Sequence, residues 1–295
     1  MANLKEVRIR IASVNTTQQI TKAMKLVAAS KLKRAQDRIV QMRPYSEKLN
    51  EILSNIMSNL SGGASVGFNK KRPVKKVLIV LITSDKGLCG GFNSNLVKTA
   101  RRLIADTYSS QRKSGGITML FVGKKGFDFF KKERDITFIT EHVSLMKNIS
   151  FENSQKVSEI LLHEFSEEKY DAIELVYAKF VNAATQRFML ERFLPVEPSA
   201  EKKKTKTKAD YIFEPEKEEL LKELIPKILN TQFFKALLDT NASEHGARMV
   251  AMDSATNNAQ ELIRILKIQY NRERQAAITK EILEIVGGAA ALQEK

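Results

Sequence analysis

The sequence predicts a mixed protein, α+β in outline. Two long helices, one from each end of the chain, should form an antiparallel left-handed coiled coil beside a central α/β domain with a mostly parallel sheet. Three observations lead there. Apolar residues recur in alternating steps of three and four over the first 60 residues. A second stripe of that spacing, rich in small residues, lies near the C-terminus. Between them, short apolar runs alternate with amphipathic segments.

The first stripe runs Leu4, Val7, Ile11, Val14, Gln18, Thr21, Lys25, Ala28, Leu32, Ala35, Ile39, Met42, Ser46, Leu49, Leu53, Ile56 and Leu60. Its mean period of 3.5 residues is that of a coiled coil. No Gly precedes Gly62 and only Pro44 interrupts, so one helix of about 84 Å is expected, too long for a compact domain to enclose. The polar residues Gln18, Thr21 and Lys25 break the stripe, and the apolar residues there shift to Ile20, Met24 and Val27. A change of winding or of contact surface is expected at that point.

The segment SGGASVG (Ser61 to Gly67) ends the helix and reads as a flexible joint. Then KKVLIVLITSD reads as a strand buried on both faces. Helices are expected over 93–109, 124–132 and 151–168, and strands over 117–123, 135–140, 172–182 and 186–196, the last two paired across Ala-Ala-Thr. This alternation is Rossmann-like and implies right-handed crossovers. A basic loop, EKKKTKTK, follows at 201–208. From Pro215 the chain is helical again, with Pro226 separating a short helix from a long one or sitting in its first turn. Met252, Ala255, Ala259, Leu262 and Leu266 form the second seam, and Gly287 and Gly288 are placed to end or loosen the helix. The expected domains are residues 1–60 (N-terminal coiled-coil helix), 61–200 (central domain), 201–214 (linker with the basic loop) and 215–295 (C-terminal coiled-coil helix). Only the opposite helix is long enough to cover either seam.

Composition narrows the function. The net charge of +15 favours an acidic partner. It is concentrated: residues 1–50 carry eleven Lys/Arg against Glu6, Asp37 and Glu47. The basic helix KAMKLVAASKLKRAQDR lacks aromatic interleaving and any nucleic-acid motif, so it reads as a solvated face or a stripe held against acidic protein loops. Cys89 is the only cysteine and the three histidines are scattered, which leaves no disulfide and no His/Cys zinc cluster. The longest clearly apolar run, VLIVLI, is far short of a membrane span, and the N-terminus lacks the pattern of a signal peptide.

One loop sits where an open α/β sheet would cradle phosphate: SDKGLCGGFNSN, Ser84 to Asn95. Its spacing is neither GxGxxG nor GxxxxGK[ST], so it reads as a tight strand-to-helix turn or a polar contact surface. Cys89 has no His or second Cys nearby in the sequence to make it a nucleophile.

Four segments, RIRIASVNTTQQITKAMKLVAASKLKRAQ, SDKGLCGGFNSN, ARMVAMDSATNNA and NRERQAAITKEILEIVGGAAAL, resemble the gamma subunits of F-type ATP synthases, in the same order and over essentially the whole chain. The resemblance implies a non-catalytic central rotor shaft with no cofactor and no nucleic-acid partner. It would turn inside a 3:3 hexamer of alpha and beta subunits and meet the epsilon subunit and the c ring. It further implies that Met24 and Lys25 face acidic beta-subunit loops, that Arg274 and Gln275 hydrogen-bond to catalytic-subunit loops, and that Ile285 to Leu292 form the end held in an upper bearing. Tyr211 and Glu214 fall in the foot near epsilon and the c ring. The lone cysteine departs from the chloroplast type, which carries an inserted cysteine pair; a bacterial protein, peripheral on the cytoplasmic face of the plasma membrane, is expected. The lysine-rich loop at 202–208 and the terminal Gln-Glu-Lys depart from the family pattern.

Overall fold

The computed structural model describes residues 4–58, 68, 72–196 and 217–293, with the side chains of 47, 50–58, 217–222 and 290–293 left aside. The basic loop and the Ser61 to Gly67 joint lie outside the described residues. The chain packs as two compact units. One comprises residues 1–28 with 249–295, the other residues 29–248.

The larger unit is built on a five-stranded sheet. Strand β1 (Val77–Ile82) lies at its centre, flanked by β2 (Ile117–Val122) and β4 (Ala172–Phe180); β3 (Thr137–Ile139) and β5 (Gln186–Leu194) are the outer strands, in the order β3-β2-β1-β4-β5. All pairings are parallel except β4 with β5, which run antiparallel across the short turn that the sequence marks with Ala-Ala-Thr. Every residue of β1 is fully buried. That follows from its uninterrupted VLIVLI: period-two alternation sends Leu78, Val80 and Ile82 to one face and Val77, Ile79 and Leu81 to the other, and both faces are covered.

On the first face pack α5 (Phe151–Ser166), through Val157, Leu161 and Phe165, and the first half of α6 (Lys217–Gln293), through Ile225, Leu229, Phe233 and Leu237. The second face takes α2 (Phe92–Asp106), through Leu96, Ala100, Leu103 and Ile104, and Phe130 of α4 (Lys124–Phe130). A short helix, α3 (Ser109–Lys113), follows α2. Close approach demands glycine at Gly246, where a Cβ would lie 3.0 Å from the Ala183 carbonyl oxygen in the β4–β5 turn. There α6 seats directly on the end of the sheet.

Helix α6 is continuous for 77 residues. Pro226 lies inside it and neither separates two helices nor sits in a first turn. Proline removes one backbone hydrogen bond there. Its neighbours Ile225, Ile228 and Leu229 are buried, and that packing holds the helix together through the defect. Gly287 and Gly288 likewise do not end it. Pro44 also lies inside a continuous helix, α1 (Leu4–Ser58).

In the smaller unit α1 and α6 run antiparallel. The Lys25 Nζ contacts Asp253 Oδ1 at 2.5 Å, and one turn earlier Thr21 Oγ1 lies 2.8 Å from Thr256 Oγ1. The seam keeps its three/four stepping straight through the polar residues. Thr21 and Ala28 are buried, whereas Ile20 and Val27 are more than half exposed. The shift of the stripe to Ile20, Met24 and Val27 therefore does not occur; only Met24 is even half-buried. Polar residues in a seam break it only when they lack partners, and here Thr21 and Lys25 each find a polar partner on the opposing helix. On α6, Met252, Ala259 and Leu266 are buried as the spacing predicts, but Leu262 is exposed and Ile263 is half-buried in its place.

Candidate functional site

Two regions carry chemistry that the fold alone does not demand. The first, in the larger unit, is the loop after β1. Asn93, the second residue of α2, is its hub. Its Oδ1 accepts from the Ser84 N–H at 3.1 Å, and its Nδ2 donates to Ser84 Oγ at 2.7 Å and lies 3.3 Å from Cys89 Sγ. Ser84 Oγ donates onward to the Lys86 carbonyl at 2.7 Å.

From α6, the Arg248 guanidinium donates to the Lys86 and Gly87 carbonyls at 3.1 and 3.3 Å, while its Nη1 contacts Glu244 Oε1 at 2.6 Å. Charge-assisted bonds of this kind are the strong ones. They fix a loop in which Leu88 takes a positive φ of 63°, a conformation that costs a non-glycine residue about 1 kcal/mol or more. The Leu88 side chain is left two-thirds exposed.

This arrangement does not cradle a phosphate. The loop's carbonyls are turned to an arginine, and its interior is filled by Cys89, Phe92 and Asn93, all buried. Burial pushes the Cys89 thiol up, away from the thiolate a nucleophile needs. Burial also raises Glu244, against the opposing pull of Arg248, and lowers His245 to about 4, with Arg248 and Lys31 adding to the effect. His245 is thus neutral across the physiological range. Among the described residues no group of three or more His, Cys, Asp or Glu is placed to hold a metal ion.

The second region is the smaller unit. Its helix pair is thin, and much of its apolar surface faces outward. Ile9, Ile20, Leu26 and Val27 on α1, and Ile265 and Ile268 on α6, are all about half exposed or more. Carried along at the register set by the Lys25–Asp253 and Thr21–Thr256 contacts, Leu4 falls opposite about residue 273. Burial agrees. Glu273 is the last half-buried side chain, and every described side chain from Arg274 to Ala289 is exposed. The final stretch of α6, about 30 Å long, therefore has no partner helix among the described residues. It still carries Ile278, Ile282, Leu283, Ile285 and Val286 at its surface.

The comparisons with known proteins bear on this directly. A family model described as ATP synthase matches residues 3–292. The ATP synthase gamma chain of Cytophaga hutchinsonii is 53% identical over 294 residues, covering 99% of each chain. The chain belongs to the ATP synthase gamma chain family. The gamma chain of Chlorobaculum parvum is 44% identical over the full length of both. In solved structures, a chain of the Tetrahymena thermophila mitochondrial ATP synthase central stalk and c ring is 27% identical, with a TM-score of 0.55, and matches 80% of this chain and 99% of that one. A chain of the Euglena gracilis mitochondrial ATP synthase has the same fold, with a TM-score of 0.66 at 20% identity, matching 98% and 94% of the two chains.

The family residues read from the sequence fall as follows. Met24 and Lys25 are half-buried on the helix pair, and Lys25 already holds Asp253, a partner that sequence reasoning missed. Arg274 and Gln275 are the first two residues of the unpartnered stretch of α6 and are fully on its surface. Ile285 is 71% exposed, and Leu292 lies in the last turn of α6 with its side chain outside the described ones. Tyr211 and Glu214 lie outside the described residues. Arg248 was also missed as a contact. It stands in the ARMVAMDSATNNA segment, but the spacing Glu244-x-x-x-Arg248 by itself marks any surface helix.

Proposed function

We propose that this chain is the central shaft of a proton-translocating ATP synthase, turning inside an alpha/beta hexamer and coupling proton flow through the c ring to ATP synthesis or hydrolysis at the beta-subunit sites. The observation that carries this reading is the helix pair with its unpartnered C-terminal stretch: apolar side chains stand outside a seam that is already complete, on a member of the gamma chain family. Such a surface is suited to burial in a sleeve supplied by other subunits.

In this reading the chain does no chemistry of its own. Its contribution is asymmetry. A rod with different residues on each side meets three chemically equivalent beta subunits in three different ways. A ligand or partner shifts an equilibrium only by its differential affinity for the states involved, so unequal contacts give the three nucleotide sites unequal affinities. Turning the rod exchanges them.

In this reading Met24 and Lys25 run against acidic beta-subunit loops, with Asp253 holding Lys25 in place between encounters. Arg274 and Gln275 offer their side chains to catalytic-subunit loops, and Ile285 to Leu292 sit in the upper bearing. Tyr211 and Glu214 belong to the foot that meets epsilon and the c ring. Among the described residues no helix is long and apolar enough to cross a membrane. The attachment we propose is therefore peripheral, on the cytoplasmic face of a bacterial plasma membrane, through the complex. The 1–60, 61–200, 201–214 and 215–295 divisions then correspond to shaft, body, foot linker and shaft.

Reconstitution tests the reading. The purified chain should be inert toward ATP and should restore sustained ATPase activity when mixed with alpha and beta subunits. ATP turnover by the chain alone, or a hexamer indifferent to its addition, would overturn it.

A further inference from the structure

The larger unit holds a charged cavity that this function does not use. It has a volume of about 200 Å³ and lies between α1, the end of β4 and α6, lined by Ile39, Met42, Arg43, Lys179, Lys235 and Asp239 among others. A water molecule's share of liquid volume is about 30 Å³, so the space suits a tetrahedral oxyanion with a few waters.

We propose that this cavity is an oxyanion site, taking phosphate or sulfate, either free or as the phosphate headgroup of an anionic lipid. Three cations from three separate elements converge there: Arg43 from α1, Lys179 from β4 and Lys235 from α6. All three act electrostatically on the one carboxylate, that of Asp239, which also accepts a backbone hydrogen bond from Phe180. Asp239 is buried, and one cation would suffice to balance it. Yet none of the three makes an ion pair with it or with any other described carboxylate. The site thus carries a surplus of two positive charges at neutral pH.

A second observation points the same way. In the β4–β5 ladder Lys179 stands directly opposite Arg187. Like charges at directly opposed positions destabilise a sheet, and an anion held against Lys179 offsets part of that penalty. Guanidinium and ammonium groups around one small cavity are the usual chemistry of phosphate recognition.

The charged and titratable groups facing Asp239 are Arg43 from α1, Lys179 and Tyr177 from β4 and Lys235 from its own helix; burial raises the Tyr177 phenol, so it stays neutral. Burial raises the Asp239 carboxyl to about 6. As pH falls through that value the carboxylate is neutralised and the surplus positive charge grows. Sulfate keeps its full charge over the same range, so its binding should tighten on acidification for a reason that lies in the protein.

Calorimetric titration of the full chain with sodium sulfate and with sodium phosphate, at ionic strength held constant with chloride, is the test, paired with flotation on phosphatidic acid or phosphatidylcholine vesicles. Saturable sulfate or phosphate binding is expected, weakened at least ~10-fold in Arg43→Gln/Lys235→Met and tightened at neutral pH in Asp239→Asn. Lys124→Gln, elsewhere on the same unit, should leave it unchanged. Binding of the free anions assigns the site to a soluble oxyanion. Flotation on phosphatidic acid alone, lost in the Arg43→Gln/Lys235→Met chain, assigns it to a headgroup. Absence of both, or binding that survives the double substitution in a chain with unchanged circular dichroism, overturns the proposal.

Discussion

The two packed units differ in what their interiors are made of. The larger is filled by Phe121, Phe130, Phe165, Phe193 and Phe233 and by the branched residues of β1, nearly all at or below 1% exposure. The smaller is joined by a seam in which the small Thr21, Ala28 and Ala259 are buried together with Val7, Met252 and Leu266, without a single buried aromatic ring among the described residues, and an ion pair substitutes for one hydrophobic layer. One unit keeps its apolar surface inside. The other leaves Ile9, Ile20, Leu26, Val27, Ile265 and Ile268 outside. Burial contributes about 25 cal/mol per Å². The body therefore holds its own stabilisation, while the helix pair reserves a large share of its stabilisation for an external partner.

Substitutions should expose this contrast. Phe233→Ala removes a fully buried ring from the face of the sheet covered by α6 and should cost about 3–5 kcal/mol, read as a lower urea midpoint. A loss below 1 kcal/mol would show that the body is not held by this core. Asp239→Asn gives the next effect, and one that depends on pH. The folded carboxyl titrates at about 6 against 3.8 for the ordinary group, so the native state binds the extra proton between these values. Stability from this residue is present below the lower value and lost as pH rises through the upper one. At pH 8 Asp239→Asn should be more stable than the parent by about 2–3 kcal/mol, an advantage that fades toward pH 4. The comparison must be made against the parent chain, because His245, lowered by burial, contributes with the opposite sign over almost the same window.

Within the helix pair the effects should be smaller. Leu266→Ala takes away one of the few large buried seam residues, and about 2 kcal/mol is expected, the low end for such a change, because the surrounding seam is thin and able to collapse. Hydrogen exchange of the α6 amides around it reports the local opening. Smallest is the Lys25–Asp253 pair. Both side chains are more than a third exposed, so a double-mutant cycle should yield under about 1 kcal/mol of coupling. A coupling of several kcal/mol would mean that this contact is far more enclosed than its exposure indicates.

Much of this was legible in the chain itself. The VLIVLI run declared a central, doubly covered strand because a parallel sheet leaves no face for polar residues. The alternation after it placed the remaining strands and helices α2, α4 and α5 to within a few residues, but not the short helix α3. Legibility failed where the partner of a residue is remote in sequence. Thr21 and Lys25 look like breaks in a stripe until Thr256 and Asp253 are set against them, more than 200 residues away. Leu262 and Ile263 are indistinguishable by composition, and only the packing geometry decides which faces the seam. Pro226 reads as a stop because propensity is local, whereas the burial of Ile225 and Leu229 that overrides it is tertiary. The loop at Ser84 to Asn95 was located correctly, yet its anchoring by Arg248 was invisible, since an arginine on a helix face announces nothing about the carbonyls it will meet.

Rotation is the property that the account stands or falls on. A bead attached to the larger unit through Ser110→Cys, an exposed position on helix α3, can be watched on a hexamer of alpha and beta subunits fixed to glass; Cys89, being buried, stays unlabelled. With ATP supplied, the bead should turn in one direction in discrete steps, and turning should stop when ATP is withdrawn. An assembly that hydrolyses ATP at full rate while the bead stands still would contradict the central claim.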